Sequence, residues 1–424
     1  TQPPLIEAPL PEQHSQRQFT SIQTHKPIHP LVTSLIPLLL NPQPLNTMKS
    51  IKPLLLAASL SSLLAASASA QTELTITGST AFRSATHNAI KNLLTASGTP
   101  SIAHVGSSLS SASQAIFKGS ISGNPVIIKT GWSGSVAGVQ TVSQNINVNF
   151  LPNSVIVDNT TTTGLSAGSE SRLPDVAMSD TFQSATPFSS PILNDNVVGV
   201  IAFKWVASKG SPAGLSNITQ QLAQALFGNG SLALALFTGS ASDQSKSVFA
   251  TGRDPLSGTR LTTFAESGVG VNSIVVQYQP TVASGAVSSH KVWPAETVNG
   301  IAFDEGNSGY ASGGSLVTAM QATTSAINGH YVSYMGVSDA DSAIAGGAVE
   351  LTWNGVPYSL DNVKQGKYTF WGYQHLMYRS TLTGTKKTAA DAIANQIKTV
   401  DSPILLSDMK VERPADGGIV APRY

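Results

Sequence analysis

The sequence predicts an α/β protein in two lobes, and three observations carry that prediction. From Glu73 onward, short apolar runs alternate with segments of helical period. Polar loops rich in Gly, Ser and Thr stand between a strand and the helix that follows it. The chain has 424 residues, enough to bury a sizeable core and to divide it between two lobes. Alternation of this kind argues for mainly parallel sheets flanked by helices.

Residues 1–47 read as foreign to the rest: they carry nine prolines and no sustained periodicity. Met48 opens a secretory signal peptide, 48–70, with Lys49 and Lys52 as its basic region. Leu54 to Ala66 is the apolar region and Ala68-Ser-Ala70 the cleavage site before Gln71. The apolar region is shorter than the roughly 20 residues a bilayer span needs. No cysteine follows it, which removes a lipoprotein anchor. The expectation is therefore an exported, periplasmic or secreted protein beginning near Gln71, with 1–47 an upstream extension that the native protein lacks.

Leu74–Thr77 is a strand, and Phe82, Ala85, Ala89, Leu93 and Leu94 mark one face of the next helix. Pro125–Lys129 is a second strand, followed by Thr130-Gly-Trp-Ser-Gly-Ser135 and a short helix through Gly138 to Val142. The Asn-, Thr- and Ser-rich stretch 143–172 reads as a surface excursion. Pro174–Met178 is a third strand, ending in Ser179-Asp180, and Val197–Val206 suits a central strand. A helix is expected over Ile218–Phe227, stopped by Gly228, and another over Ser315–Ile327. His330–Met335 is strand-like. The tail mixes short strands with helices at Trp371–Arg379 and Thr388–Lys398.

Composition excludes several functions. Charged residues make up 11% of the chain, against roughly 25% in ordinary soluble domains, and the formal net charge is +1. With no basic cluster, nucleic acid is not an expected partner. The absence of cysteine removes disulfides, thiolate metal sites and cysteine nucleophiles. The histidines after Gln71 (His87, His104, His290, His330 and His375) lack metal-ligand spacing, so no metal or cofactor is expected. Gly164-Leu-Ser-Ala-Gly168 matches the spacing of a hydrolase nucleophile, but it sits in a Ser/Thr/Gly loop without the strand-to-helix context such a serine needs.

Most informative is Thr251-Gly-Arg-Asp-Pro-Leu-Ser-Gly-Thr-Arg260, between an apolar run and a segment of helical period. A helix N-terminus offers unpaired N–H groups and a positive dipole end to an anion. Ser257 and Thr259 add hydroxyls, Gly258 permits close approach, and Arg253 adds a planar cationic fork. Three more strand-end loops share this chemistry: Gly78-Ser-Thr80, Gly131–Ser135 and Ser179-Asp180. Carboxyl ends of strands are where α/β sheets collect ligands. The combined inventory of hydroxyls, helix-start amides, one arginine and one carboxylate fits a small tetrahedral oxyanion.

On these motifs the sequence resembles the phosphate-binding proteins of bacterial phosphate ABC importers. The resemblance rests on Thr77-Gly-Ser-Thr-Ala-Phe82, Val176-Ala-Met-Ser-Asp180, the Arg-x-x-x-Ser-Gly-Thr spacing of 253–259, and Gly214–Ile218 with Gln224–Gly228. It implies the type II periplasmic-binding fold. Lobe I would comprise 72–194 plus 333–424, and lobe II 195–332. It implies phosphate held by the Thr80 hydroxyl, amides from Ser79 to Ala81, Ser135, Arg253, Ser257, Gly258 and Thr259, with Asp180 accepting a proton from the bound anion. The family often pairs its arginine with an acidic residue two places on. Here Asp254 follows at once, which leaves the ion pairing of Arg253 open. The resemblance further implies a monomeric solute-binding protein without enzymatic activity that delivers phosphate to an ABC permease. The alternatives are another oxyanion (sulfate, molybdate or arsenate) in the same fold, or a secreted hydrolase or surface protein.

Overall fold

The structure is a computed structural model that describes residues 71–423; the expected extension and signal peptide lie outside the described residues. Thirteen strands form its main sheet. In chain order these are β1 (Thr72–Gly78), β2 (Ser101–Val105), β3 (Gln114–Ile121), β4 (Asn124–Trp132), β5 (Thr161–Leu165), β6 (Val176–Ser179) and β7 (Asn194–Ala207). They continue with β8 (Asn217–Ile218), β9 (Ser231–Ala233), β10 (Ser247–Ala250), β11 (Gly329–Gly336), β12 (Val349–Trp353) and β13 (Trp371–Tyr378). Around them pack α1 (Arg83–Thr95), α2 (Ser135–Ser143), α3 (Gln220–Asn229), α4 (Gly258–Glu266), α5 (Gly313–Met320), α6 (Val337–Ala345) and α7 (Gly384–Gln396). No helix among the described residues is long and apolar enough to cross a membrane.

The α/β class is as the sequence predicts, and β7 organises it. Residues 194–202 of β7 pair with β13, whereas 203–207 pair with β11 and, from Trp205, with β12. One half of the sheet therefore runs β5-β2-β3-β4-β1-β6-β13-β7, and the other β9-β10-β11-β7-β12-β8. The chain can cross between halves inside one strand because β7 is buried along almost its whole C-terminal length.

Strand directions are mixed rather than mainly parallel. β1 runs parallel to β4 and β6, and β10 to β11. However, β2, β3 and β4 form an antiparallel meander, and β13 opposes both neighbours. The β3–β4 connection is only Ser122-Gly123, with φ of 50° and 79°. A two-residue turn with both φ positive closes an antiparallel hairpin and no other pairing.

Three element expectations are corrected. Residues 371–378 are the strand β13, not a helix. Both faces of β13 are buried, so polar–apolar alternation is lost and periodicity does not separate strand from helix. The helix expected over 315–327 spans Gly313–Met320 and ends early. That over 218–227 starts after the Thr219 cap and passes Gly228 to stop at Gly230, whose φ is 80°.

The core is continuous along the sheet. α1 buries Ala85, Ala89, Ile90 and Leu94 against it, with Phe82 beside its first turn. Where β7 enters the second half, Trp205 stacks on Phe370 at 5.3 Å and on Trp353 at 5.8 Å, with Phe227 at 6.0 Å. Such aromatic pairs contribute about 0.5–1.5 kcal/mol each beyond buried area. They stiffen the wall from which β10 and α4 approach the first half.

Candidate functional site

The four loops singled out in the sequence meet. β1 ends at Gly78, whose φ of 114° turns the chain into Ser79-Thr80-Ala81 and the start of α1. A side chain at Gly78 would overlap the Met178 carbonyl of β6, so glycine lets these two strand ends close up. Ser135 is the first residue of α2, and Asp180 follows β6 directly. Ser257 caps α4, its hydroxyl accepting from the Arg260 N–H at 3.3 Å, and Gly258 and Thr259 form the first turn. Gly258 lies so close to Ser135 that a Cβ there would overlap the Ser135 side chain.

Asp180 is the centre of this meeting, with 1% of its surface exposed. The Ser79 hydroxyl donates to its Oδ1, and the Thr259 hydroxyl to Oδ2 at 3.4 Å. Its backbone N–H donates to Ser135 Oγ at 3.0 Å, and Thr262 Oγ1 donates to its carbonyl at 3.0 Å. Burial pushes the Asp180 carboxyl above its usual range, opposed by the Ser79 hydrogen bond and the nearby Arg253 charge. A carboxyl balanced in this way is suited to sharing a proton with a protonated oxyanion. The first N–H groups of α2, on Val136 and Ala137, donate to the Leu256 carbonyl at 3.0 and 3.4 Å, so the Arg253 loop packs straight onto the first half.

Arg253 is equally buried, at 2% exposure. Its Nε donates to the Tyr310 carbonyl at 2.9 Å, and Nη2 to the Ala311 carbonyl at 2.9 Å and Thr80 Oγ1 at 3.4 Å. Among the described residues no carboxylate lies within 4.0 Å of this guanidinium. Asp254 instead accepts from the Leu256 N–H at 2.9 Å and closes its own turn. The guanidinium is thus aimed by backbone carbonyls rather than by a paired carboxylate. Arg260 points elsewhere, donating to the Arg253 carbonyl at 3.2 Å and to the Asn307 side chain.

Several contributors escaped the sequence reading. Tyr310 and Ala311 act through backbone oxygens, which no side-chain pattern announces. Tyr334 accepts the Arg253 N–H at 3.3 Å, and Gln277 donates to the Arg253 carbonyl at 3.1 Å. Arg83, the first residue of α1, has a buried Nε without a hydrogen-bond partner. Burial holds its guanidinium below the usual range, opposed by Asp339 at the start of α6; Arg253 lies within electrostatic reach of both. The signal for Arg83 was its place three residues after Thr80.

Two further segments that the sequence raised lie apart from this locus. Ser166 of Gly164–Gly168 is exposed in the turn between β5 and the short strand Glu170–Arg172, with no helix after it. His87 is a packing histidine: Nδ1 contacts the Leu109 carbonyl at 2.7 Å, Trp132 Nε1 donates to Nε2 at 3.1 Å, and burial lowers its pKa to about 3.

No family model matches the chain, and no curated protein matches it. Solved structures do. A protein from Clostridium perfringens assigned as a phosphate ABC transporter substrate-binding protein, with phosphate bound, aligns over 79% of this chain and 100% of its own, at 14% identity and a TM-score of 0.47. An ABC-type phosphate transport receptor from Vibrio cholerae aligns over 76% of this chain and 93% of its own, at 13% identity and a TM-score of 0.43. The reduced regulatory domain of OxyR2 from Vibrio vulnificus aligns over 78% and 95%, at 8% identity and a TM-score of 0.38. At such identity a shared backbone course says nothing of the ligand held.

Proposed function

We propose that this is an exported solute-binding protein that holds inorganic phosphate between two lobes and delivers it to an ABC permease. One observation carries the reading: hydroxyls of Ser79, Thr80, Ser135 and Thr259, the Asp180 carboxyl and the Arg253 guanidinium converge from four strand-end loops on one buried locus. Ser257 and Gly258 shape the α4 end of that locus, and the Ala81 amide belongs to the α1 end. Donors at helix N-termini, one cation and one proton-accepting carboxyl match a phosphate that still carries a proton near neutral pH.

The lobes join through β7. We place 72–202 with 371–423 in one and 203–370 in the other, moving the boundaries expected at 194/195 and 332/333 because β7 pairs with β13 up to Ala202 and because β11 and β12 pair with the second half. An anion touching Thr80 and Asp180 on one side and Arg253 and Thr259 on the other favours the closed arrangement by the contacts only that arrangement gives it. Export rests on Met48–Ala70, outside the described residues.

Isothermal titration of the purified protein with phosphate, arsenate, molybdate and sulfate tests the reading. Phosphate should bind with the lowest dissociation constant. No heat with any of the four oxyanions, from protein shown to be folded by circular dichroism, would remove it.

A further inference from the structure

A cavity of about 650 Å³ is lined at one point by Ala81, the residue after Thr80. It runs between α1 and α6, whose N-terminal ends meet where a Cβ on Gly336 would lie 3.2 Å from the Ala81 Cβ. α1 presents Ser84 and Asn88 to it, α6 presents Ser338 and Ser342, and Tyr358 closes one side. Its floor is Ile201 and Ala202, where β7 passes from one half of the sheet to the other. An occupant would therefore touch both halves.

The lining is specific in its charge. Its wall contains no Lys or Arg, but two carboxylates, Asp341 and Asp401. Lys204, outside the wall, neutralises Asp341 at 2.7 Å. Asp401 receives the amides of Asn92 and Gln396, each at 2.7 Å, and among the described residues no Lys or Arg pairs with it. Hydroxyls, one amide and an uncompensated carboxylate accept hydrogen bonds from alcohols and amines and disfavour a second anion. The volume falls within the roughly 300–1,000 Å³ of small-molecule sites, larger than a bare oxyanion requires.

We propose that the site takes a phosphate monoester of a small polyol or amine, its phosphoryl group at Asp180 and Arg253 and its organic part in this cavity. This rests on the reading of that cluster as a phosphate site. The organic part reaches Ser84, Asn88 and Ser342 across the seam and adds to the contacts that hold the halves together.

Calorimetry with inorganic phosphate, glycerol 3-phosphate and 3-phosphoglycerate tests the proposal. Glycerol 3-phosphate should bind at least as tightly as phosphate, and 3-phosphoglycerate, with its added carboxylate, at least tenfold more weakly than glycerol 3-phosphate. Ser342→Trp or Ala345→Trp, both at exposed positions on the cavity wall, should raise the glycerol 3-phosphate constant relative to the phosphate constant fivefold or more. Phosphate binding with a weaker glycerol 3-phosphate, or an unchanged ratio in both variants, overturns the proposal and leaves the phosphate reading intact. Failure of all three ligands to bind overturns both.

Discussion

Arg253 and Arg260 are seven residues apart, both buried, and turned to different tasks. Arg253 reaches Thr80 across the locus, whereas Arg260 braces the turn that carries Arg253. Hydrogen bonds to charged groups contribute roughly 1.5–3 kcal/mol each. Arg253→Ala should therefore weaken phosphate binding on the order of a hundredfold by titration. Arg260→Ala removes the brace between the Arg253 carbonyl, which Gln277 still pairs, and the Asn307 side chain, so it should lower the melting temperature more than the affinity. Equal small losses of affinity from both would move the site elsewhere. At this scale the candidate site was legible wherever chemistry sat in a short motif: Thr80 and Asp180 follow a strand within two residues, and Thr259 stands in the first turn of α4 behind its Ser257 cap. It was silent where contacts span distant loops, as with the Tyr310 and Ala311 carbonyls, or where a charge sits on a helix face, as with Arg83 and Asp339.

Helix ends and straps set how closely the loops meet. Gly258→Ala puts a methyl group into Ser135 and should push the first turn of α4 away from α2. Titration should show phosphate affinity falling tenfold or more; an unchanged affinity would remove the α4 terminus from the site. A second element tie comes from the C-terminal segment. Asp416 accepts the Phe182 N–H at 2.9 Å, two residues past Asp180, while Arg413 pairs with Glu266 at the end of α4 and Gly417 N–H donates to the same carboxylate at 2.9 Å. Burial raises the Asp416 pKa to about 6, with His375 and Arg413 opposing and Asp180 adding to the rise. The folded state then holds a proton that the unfolded chain releases near the ordinary pKa of about 3.9. Its contribution to stability is present in full below that value and is lost as pH rises through about 6. Asp416→Asn keeps the acceptor for Phe182 and should gain stability over wild type between pH 4 and pH 7, by on the order of 1 kcal/mol. Melting curves that stay parallel across that range would contradict it. Elements with one exposed face, such as α1, were legible from their period. β13 was not, because burial on both faces erases the period, and the β2–β3–β4 meander hid behind a Ser-Gly turn.

For the whole molecule, β7 is the strand that both halves share, and the loops of the candidate site come from both. If the halves hinge there, phosphate should reduce the radius of gyration measured by small-angle scattering, and a radius unchanged at saturating phosphate would argue for a rigid site. The α/β class was legible from alternation alone, whereas the crossing inside β7 was not, since one long apolar run gives no sign that its two ends serve different halves of the sheet. The central claim is that Asp180 faces a protonated phosphate. Sulfate carries no proton near neutral pH, so against it the same carboxylate would meet only acceptors, and an unpaired buried charged group costs more than about 1–3 kcal/mol. Competition titration of wild type and Asp180→Asn with phosphate and sulfate tests this most directly. Wild type should bind phosphate and ignore millimolar sulfate, with the gap narrowing in Asp180→Asn because an amide donates to either anion; wild-type protein that prefers sulfate would contradict the account.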